Sequence, residues 1–181
     1  MITVSGNRFP CQAWWSLLDQ SAEIADIFAI QRLKALYAKC ADEKYTDDHQ
    51  RKPQDEVDRV AWEQASVFTE DALWDGGAFG VLHGRQAIYD SLRLGPWKFA
   101  LHHYLSPLID IAGDVAHGRW MLWQVGTLIR EDTPILLTAV THDDYIRTVQ
   151  GWRMSRMVQT LKFMTRIDVS WAVNRNMPSL F

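Results

Sequence analysis

Four consecutive segments of the 181-residue chain, 98–111, 114–130, 134–148 and 152–169, are rich in Val, Ile, Thr, Trp and Tyr. Only short turn signals divide them, at Gly113-Asp114, 132–134 and Gln150-Gly151. Links that short join antiparallel neighbours, because a parallel pair needs a crossover of about a dozen residues or more. The C-terminal half is therefore predicted as one antiparallel sheet of four long strands. Strands of such length twist, so the sheet curves and needs a layer of other elements over one face.

The first half supplies that layer. Residues 21–41 read as a helix: Ser21 is a capping residue, Glu23 and Asp26 suit a first turn, and Ile24, Ile27, Phe28, Leu33, Leu36 and Cys40 make an apolar stripe. Residues 42–56, DEKYTDDHQRKPQDE, are almost wholly polar and are expected to form a solvated loop or exposed insertion with no binding role. Pro53, followed by Asp55 and Glu56, opens a second amphipathic helix ending near Phe68. A short strand is expected at 72–75, a turn at the GGAFG that follows, and a third short helix around Ala87 to Leu92, closed by Gly95-Pro96. Helices first and long strands after predict an α+β fold, a curved antiparallel sheet with helices on one face. The chain divides into an N-terminal extension (1–20), one domain (21–170) with a polar insertion near 43–56, and a C-terminal tail (171–181).

Composition removes several functions. A net charge of −3 lacks the basic surplus that nucleic-acid binding requires. Cys11 and Cys40 are the only cysteines and form no C-x-x-C, which gives no support to a disulfide scaffold or a thiolate metal centre. The first twenty residues lack the pattern of a secretory signal and no run approaches the roughly 18 apolar residues of a membrane span, so a cytoplasmic protein without membrane association is expected. H-E-x-x-H, G-x-S-x-G, P-loop and dinucleotide motifs are missing, and the expected chemistry uses neither metal nor cofactor. Nine Trp residues suit either a pocket for a flat apolar ligand or an aromatic core.

Five patterns in this order, AIQRLKALYAKCAD (29–42), VFTEDALWDG (67–76), HGRQAI (83–88), LHHYLSPLIDIAGDVAHGR (101–119) and YIRTVQGWRMSR (145–156), resemble the SnoaL-like group of the nuclear transport factor 2-like superfamily. The resemblance implies a cone of curved antiparallel sheet closed by N-terminal helices around a deep pocket. Within the group the chain is most similar to cofactor-independent lyases: scytalone dehydratase, bile acid dehydratase and hexachlorocyclohexane dehydrochlorinase. Their His-Asp pair, assisted by a Tyr, maps onto His102, Asp42 and Tyr37. Tyr37 and Asp42 have the Y-x-x-x-x-D spacing, and His102 begins an H-x-x-x-[NS]-P pattern in which Ser106-Pro107 replaces the commoner Asn-Pro.

Neutral imidazole is suited to taking a substrate proton when a carboxylate orients its other nitrogen. Strand alternation alone leaves two candidates. Phe99, Leu101, His103, Leu105 and Ile109 share one face and Ala100, His102, Tyr104, Ser106 and Leu108 the other, so the motif favours His102 while His103 stays in reserve. Tyr37 and Asp42, about 140° apart on an ideal helix, meet one pocket only if the helix ends near Asp42. The resemblance implies substrate contacts at Trp74 and at three strand faces: Trp120, Leu122 and Gln124; Leu137, Ala139 and Thr141; Met157, Gln159 and Leu161. His49, His83, His117 and His142 are expected to be structural or exposed. The implied activity is a lyase acting on a small hydrophobic cyclic metabolite, in a homodimer or higher homo-oligomer. An isomerase with the same proton abstraction, or a non-catalytic subunit like that of ring-hydroxylating dioxygenases, are the alternatives.

Overall fold

The structure, a computed structural model, describes residues 11–168, with side chains described from residue 21 onward except that of Glu131. The C-terminal tail and the first half of the N-terminal extension lie outside the described residues. Helix α1 spans Cys11–Asp42, α2 Gln54–Ala65 and α3 Arg85–Arg93. The strands are β1 Phe68–Asp75, β2 Val81–His83, β3 Trp97–Ala112, β4 Val115–Leu128, β5 Pro134–Thr148 and β6 Gly151–Arg166. They form one sheet in the order β2-β1-β6-β5-β4-β3. The three hairpins of the second half pair antiparallel as expected, whereas β1 runs parallel to β6.

Several boundaries differ from the sequence reading. Helix α1 begins at Cys11, ten residues before the Ser21 cap, because the 11–20 segment continues the helix without a breaker. Strand β1 starts at Phe68 instead of 72, since Phe68 and Ala72 are fully buried and pin the segment to β6. β2, three residues long, is too short for periodicity to reveal.

Helix α1 crosses the concave side of the sheet and packs on β3, while α2 and α3 pack on each other at its flank. This divides the interior in two. Beneath α1, Ile30, Tyr37, Phe68, Trp120, Tyr145, Met154 and Met157 form one cluster. Trp97, Ala100, Leu122, Leu128, Ile135, Leu137, Ala139 and Met164 form the other. Each large side chain so buried is worth about 1.5–3 kcal/mol.

β3 carries the irregularity that matters. Leu105 pairs with Met121 and Leu108 with Arg119, so three steps on β3 match two on β4. The extra residue is a bulge, and Ser106 there adopts φ 50°, in the left-handed region. Before the bulge Ala100, His102 and Tyr104 face inward, and after it Ile109 and Ile111 do. Leu101, His103 and Leu105 face out beside Trp123 and Val125, all exposed.

Candidate active site

The last turns of α1 bring the first residues to the site. Tyr37 is 4% exposed and stands edge-on to Phe68 and to Tyr104, with ring centroids 5.7 and 6.0 Å away. α1 ends at Asp42, which frees that carboxylate from the helical angle separating it from Tyr37. Asp42 Oδ1 accepts the backbone N–H of His102 at 3.0 Å and lies 2.8 Å from His102 Nδ1. Two contacts to one oxygen fix both the strand position and the ring orientation. With Asp42 ionised, Nδ1–H donates and Nε2 is left with a lone pair.

His102 lines a cavity of about 480 Å³, together with Tyr37, Tyr104, Trp74, Leu122, Gln124 and Gln159. That volume accommodates a small polycyclic molecule. Burial raises the Tyr37 phenol well above its ordinary pKa, with the Trp74 indole N–H offsetting part of the effect. Burial raises Tyr104 likewise, reinforced by Tyr37 and Asp143. Both phenols therefore remain O–H donors across the neutral range. Gln124 Nε2 is buried at the cavity wall and has no hydrogen-bond partner among the described residues, leaving an N–H group to be satisfied. The Trp74 indole lies over Gly76, where a Cβ would come within 2.1 Å of its Cη2 atom.

The rest of the wall comes from the polar run, and here the sequence expectation is corrected. Lys44 and Tyr45 are buried at 5% and 8% exposure, and with Arg51 they line the cavity. An isolated bridge between Tyr45 and Arg51 folds the run back on itself. Lys44 Nζ donates to Gln64 Oε1 at 2.6 Å and to the Leu92 carbonyl at 3.0 Å, tying the run to α2 and to the end of α3. Burial, with the nearby Arg51 charge, pulls the Lys44 amine down to about 7. An aromatic residue inside an otherwise charged run was the available signal.

The predicted residues separate into two groups. Tyr37, Trp74, His102, Leu122, Gln124 and Gln159 meet at the cavity, with Asp42 behind His102. The others lie elsewhere. Trp120 is in the core, donating from Nε1 to Tyr145 Oη at 3.1 Å. Leu137 and Ala139 are packed in the second core cluster. Thr141 and Met157 surround the buried Lys34 ammonium, at 3.4 and 3.8 Å. Leu161, beside a register shift of β6, is 39% exposed. Alternation gives only the side of the sheet: α1 covers the part that holds Trp120, Thr141 and Met157, the second core cluster takes up Leu137 and Ala139, and the register shift turns Leu161 outward. His103 is exposed on the opposite face. His49 stacks on Phe99, His117 pairs with Asp144 at the surface, and His83 and His142 are exposed.

The model of the SnoaL-like domain matches residues 55–158. The chain belongs to the SnoaL-like family. An uncharacterized protein of Mycobacterium tuberculosis is 29% identical over 159 residues, 82% of this chain and 96% of the relative. Among solved structures, a hexachlorocyclohexane dehydrochlorinase from Novosphingobium barchaimii superposes with a TM-score of 0.65 at 20% identity, covering 90% of this chain and 99% of that one. A Novosphingobium aromaticivorans protein assigned as a scytalone dehydratase gives 0.68 at 18% identity, covering 83% and 93%. At these identities the structural likeness establishes the shared cone. None of the described helices is long and apolar enough to cross a membrane.

Proposed function

We propose that this SnoaL-like protein is a lyase of the dehydratase or dehydrohalogenase type, acting on a small, largely apolar cyclic metabolite. One observation carries the reading: a cavity-lining imidazole whose far nitrogen and backbone N–H are both held by one carboxylate oxygen. His102 Nε2 takes a proton from a carbon beside a carbonyl or a leaving group, and Asp42 stabilises the imidazolium. The Tyr37 hydroxyl donates to the oxygen that gains charge or departs, and being held neutral by burial it is a competent donor. Trp74, Leu122, Gln124 and Gln159 form the substrate wall, the amides of the two glutamines supplying polar anchors in a mainly apolar chamber. Fold neighbours named as a dehydrochlorinase and assigned as a dehydratase support the same reaction class.

A panel of cyclic β-hydroxy ketones and chlorinated rings, monitored for released water or halide, tests the proposal. Turnover should fall about 10²- to 10⁴-fold in His102→Ala. Asp42→Asn should also lose most activity, since it disturbs the ring's tautomer or orientation, whereas Tyr37→Phe should be milder. Product formation without release of water or halide would favour an isomerase, and binding without any turnover a non-catalytic member. We further propose a cytoplasmic homodimer formed through the outer sheet face, where Leu101, Leu105, Trp123 and Val125 are exposed. Light scattering that returns a monomer would refute the dimer.

A further inference from the structure

The cavity wall holds two cations and no anion assigned to them. Lys44 spends two of its three N–H donors on neutral oxygens, Gln64 Oε1 and the Leu92 carbonyl. Arg51 likewise donates only to carbonyls, that of Arg93 at 2.5 Å and that of Trp97 at 3.5 Å. Among the described residues neither has a carboxylate within ion-pair distance. The acidic groups that could have served are engaged elsewhere. Asp42 is taken by His102, and Asp58 is held through two bonds from Arg93 at 2.9 and 2.7 Å. Glu43 pairs with Lys39 at 2.8 Å, on the outside of α1.

Anchoring a loop to carbonyls requires N–H donors, which neutral side chains also provide; it does not require charge. A buried ammonium facing another cation is unfavourable unless an anion joins them. We infer that Lys44 and Arg51 form an anion subsite of the cavity, and that the ligand is an apolar ring compound bearing a carboxylate. The inference rests on the proposed reading of the cavity as a ligand pocket and narrows its substrate class. A planar carboxylate matches the fork of a guanidinium, and the remaining Lys44 N–H supplies a second, charge-assisted bond. The Trp74 and Trp97 side chains on the same wall suit the ring.

Proton linkage gives a signature that a structural role would not. The groups around Lys44 are Cys40 and Asp42 from α1, Arg51 from its own loop, neutral Gln64 from α2 and the Leu92 carbonyl from α3, and His102 of β3 lines the same cavity. With its amine near 7, Lys44 is mostly neutral at pH 8 in the free protein, and an incoming carboxylate restores its proton.

Naphthalene-1-acetate and naphthalene-1-acetamide, nearly isosteric and differing in charge, are the probes, titrated calorimetrically into the intact protein. The carboxylate should bind at least about tenfold more tightly at pH 7. Arg51→Gln and Lys44→Met should each remove most of that preference, weakening the carboxylate's binding much more than the amide's. In wild-type protein at pH 8, titrations in two buffers of different ionisation heat should show uptake of close to one proton with the carboxylate and none with the amide. That measurement needs no variant and stands if Lys44→Met fails to fold. Equal affinities for the two probes without proton uptake would overturn the anion subsite and leave the pocket standing. Failure of both to bind would overturn the pocket reading together with the subsite.

Discussion

Ten positions apart, Lys34 within α1 and Lys44 just beyond its end are both buried, yet their surroundings are opposites. Lys34 Nζ lies 2.7 Å from Asp143 Oδ2, which also accepts the Tyr145 hydroxyl at 2.8 Å, and Trp120 in turn donates to Tyr145. The same ammonium stands 4.1 Å from the Tyr104 ring centroid. Lys44 has only amide and backbone oxygens. Burial lowers the pKa of both; at Lys34 the directly paired Asp143 opposes it, whereas at Lys44 the Arg51 charge adds to it and Cys40 and Asp42, neither of them in an ion pair with it, oppose it more weakly. One desolvated charge is thus directly ion-paired within the protein and the other, among the described residues, is not. The contrast separates a charge that holds the core together from one available to something outside the chain.

Breaking the compensated site should have the larger effect. Asp143→Ala leaves the Lys34 ammonium buried alone and should cost about 3–5 kcal/mol in urea unfolding. The double variant Lys34→Met/Asp143→Leu should recover much of the loss, and a double variant as unstable as the single would show that packing, not charge, carries the effect.

At the uncompensated site the sign reverses. The folded amine near 7 lies below the roughly 10.4 of a free lysine, so the unfolded chain binds the proton more readily. The resulting destabilisation is complete below pH 7, fades as pH rises from 7 to about 10.4 and vanishes above. Lys44→Met should therefore be more stable than wild type at pH 6, by about 1–3 kcal/mol once the two lost hydrogen bonds are deducted. The gain should disappear by pH 10; a gain equal at both pH values would rule out this origin. Smallest of all, His103→Ala should shift stability by no more than about 0.5 kcal/mol and leave probe binding unchanged, because His103 faces away from both sites.

The sheet was legible because its connections are short and its strands long. The pair Asp42 and His102 was reachable only through the motif resemblance, and the bulge explains why alternation alone could not choose. A strict period of two carries Ile109 onto the face of His103, making that face look more apolar, whereas the extra residue at Ser106-Pro107 returns Ile109 to the inner side. The left-handed φ of Ser106 is one that Asn tolerates better than Ser, which fits the Asn-Pro alternative of the H-x-x-x-[NS]-P pattern. Lys44 and Arg51 were hidden for a different reason. A polar run is solvated by default, and nothing local shows that Gln64 and Leu92, distant in sequence, close over it. Trp120, Thr141 and Met157 were misplaced because facing inward does not distinguish the chamber from the packed region under α1.

Gly76 is buried, adopts an ordinary helical-side φ of −85°, and leaves room for the Trp74 indole to lie flat against the turn. A methyl group there would be acceptable to the backbone but would displace the indole, which lines the chamber. The girth of an admissible ligand is consequently governed from a position outside the cavity wall. Under the proposed function, a change at this one turn residue alters which ligands fit while Asp42 on α1 and His102 on β3 keep their geometry.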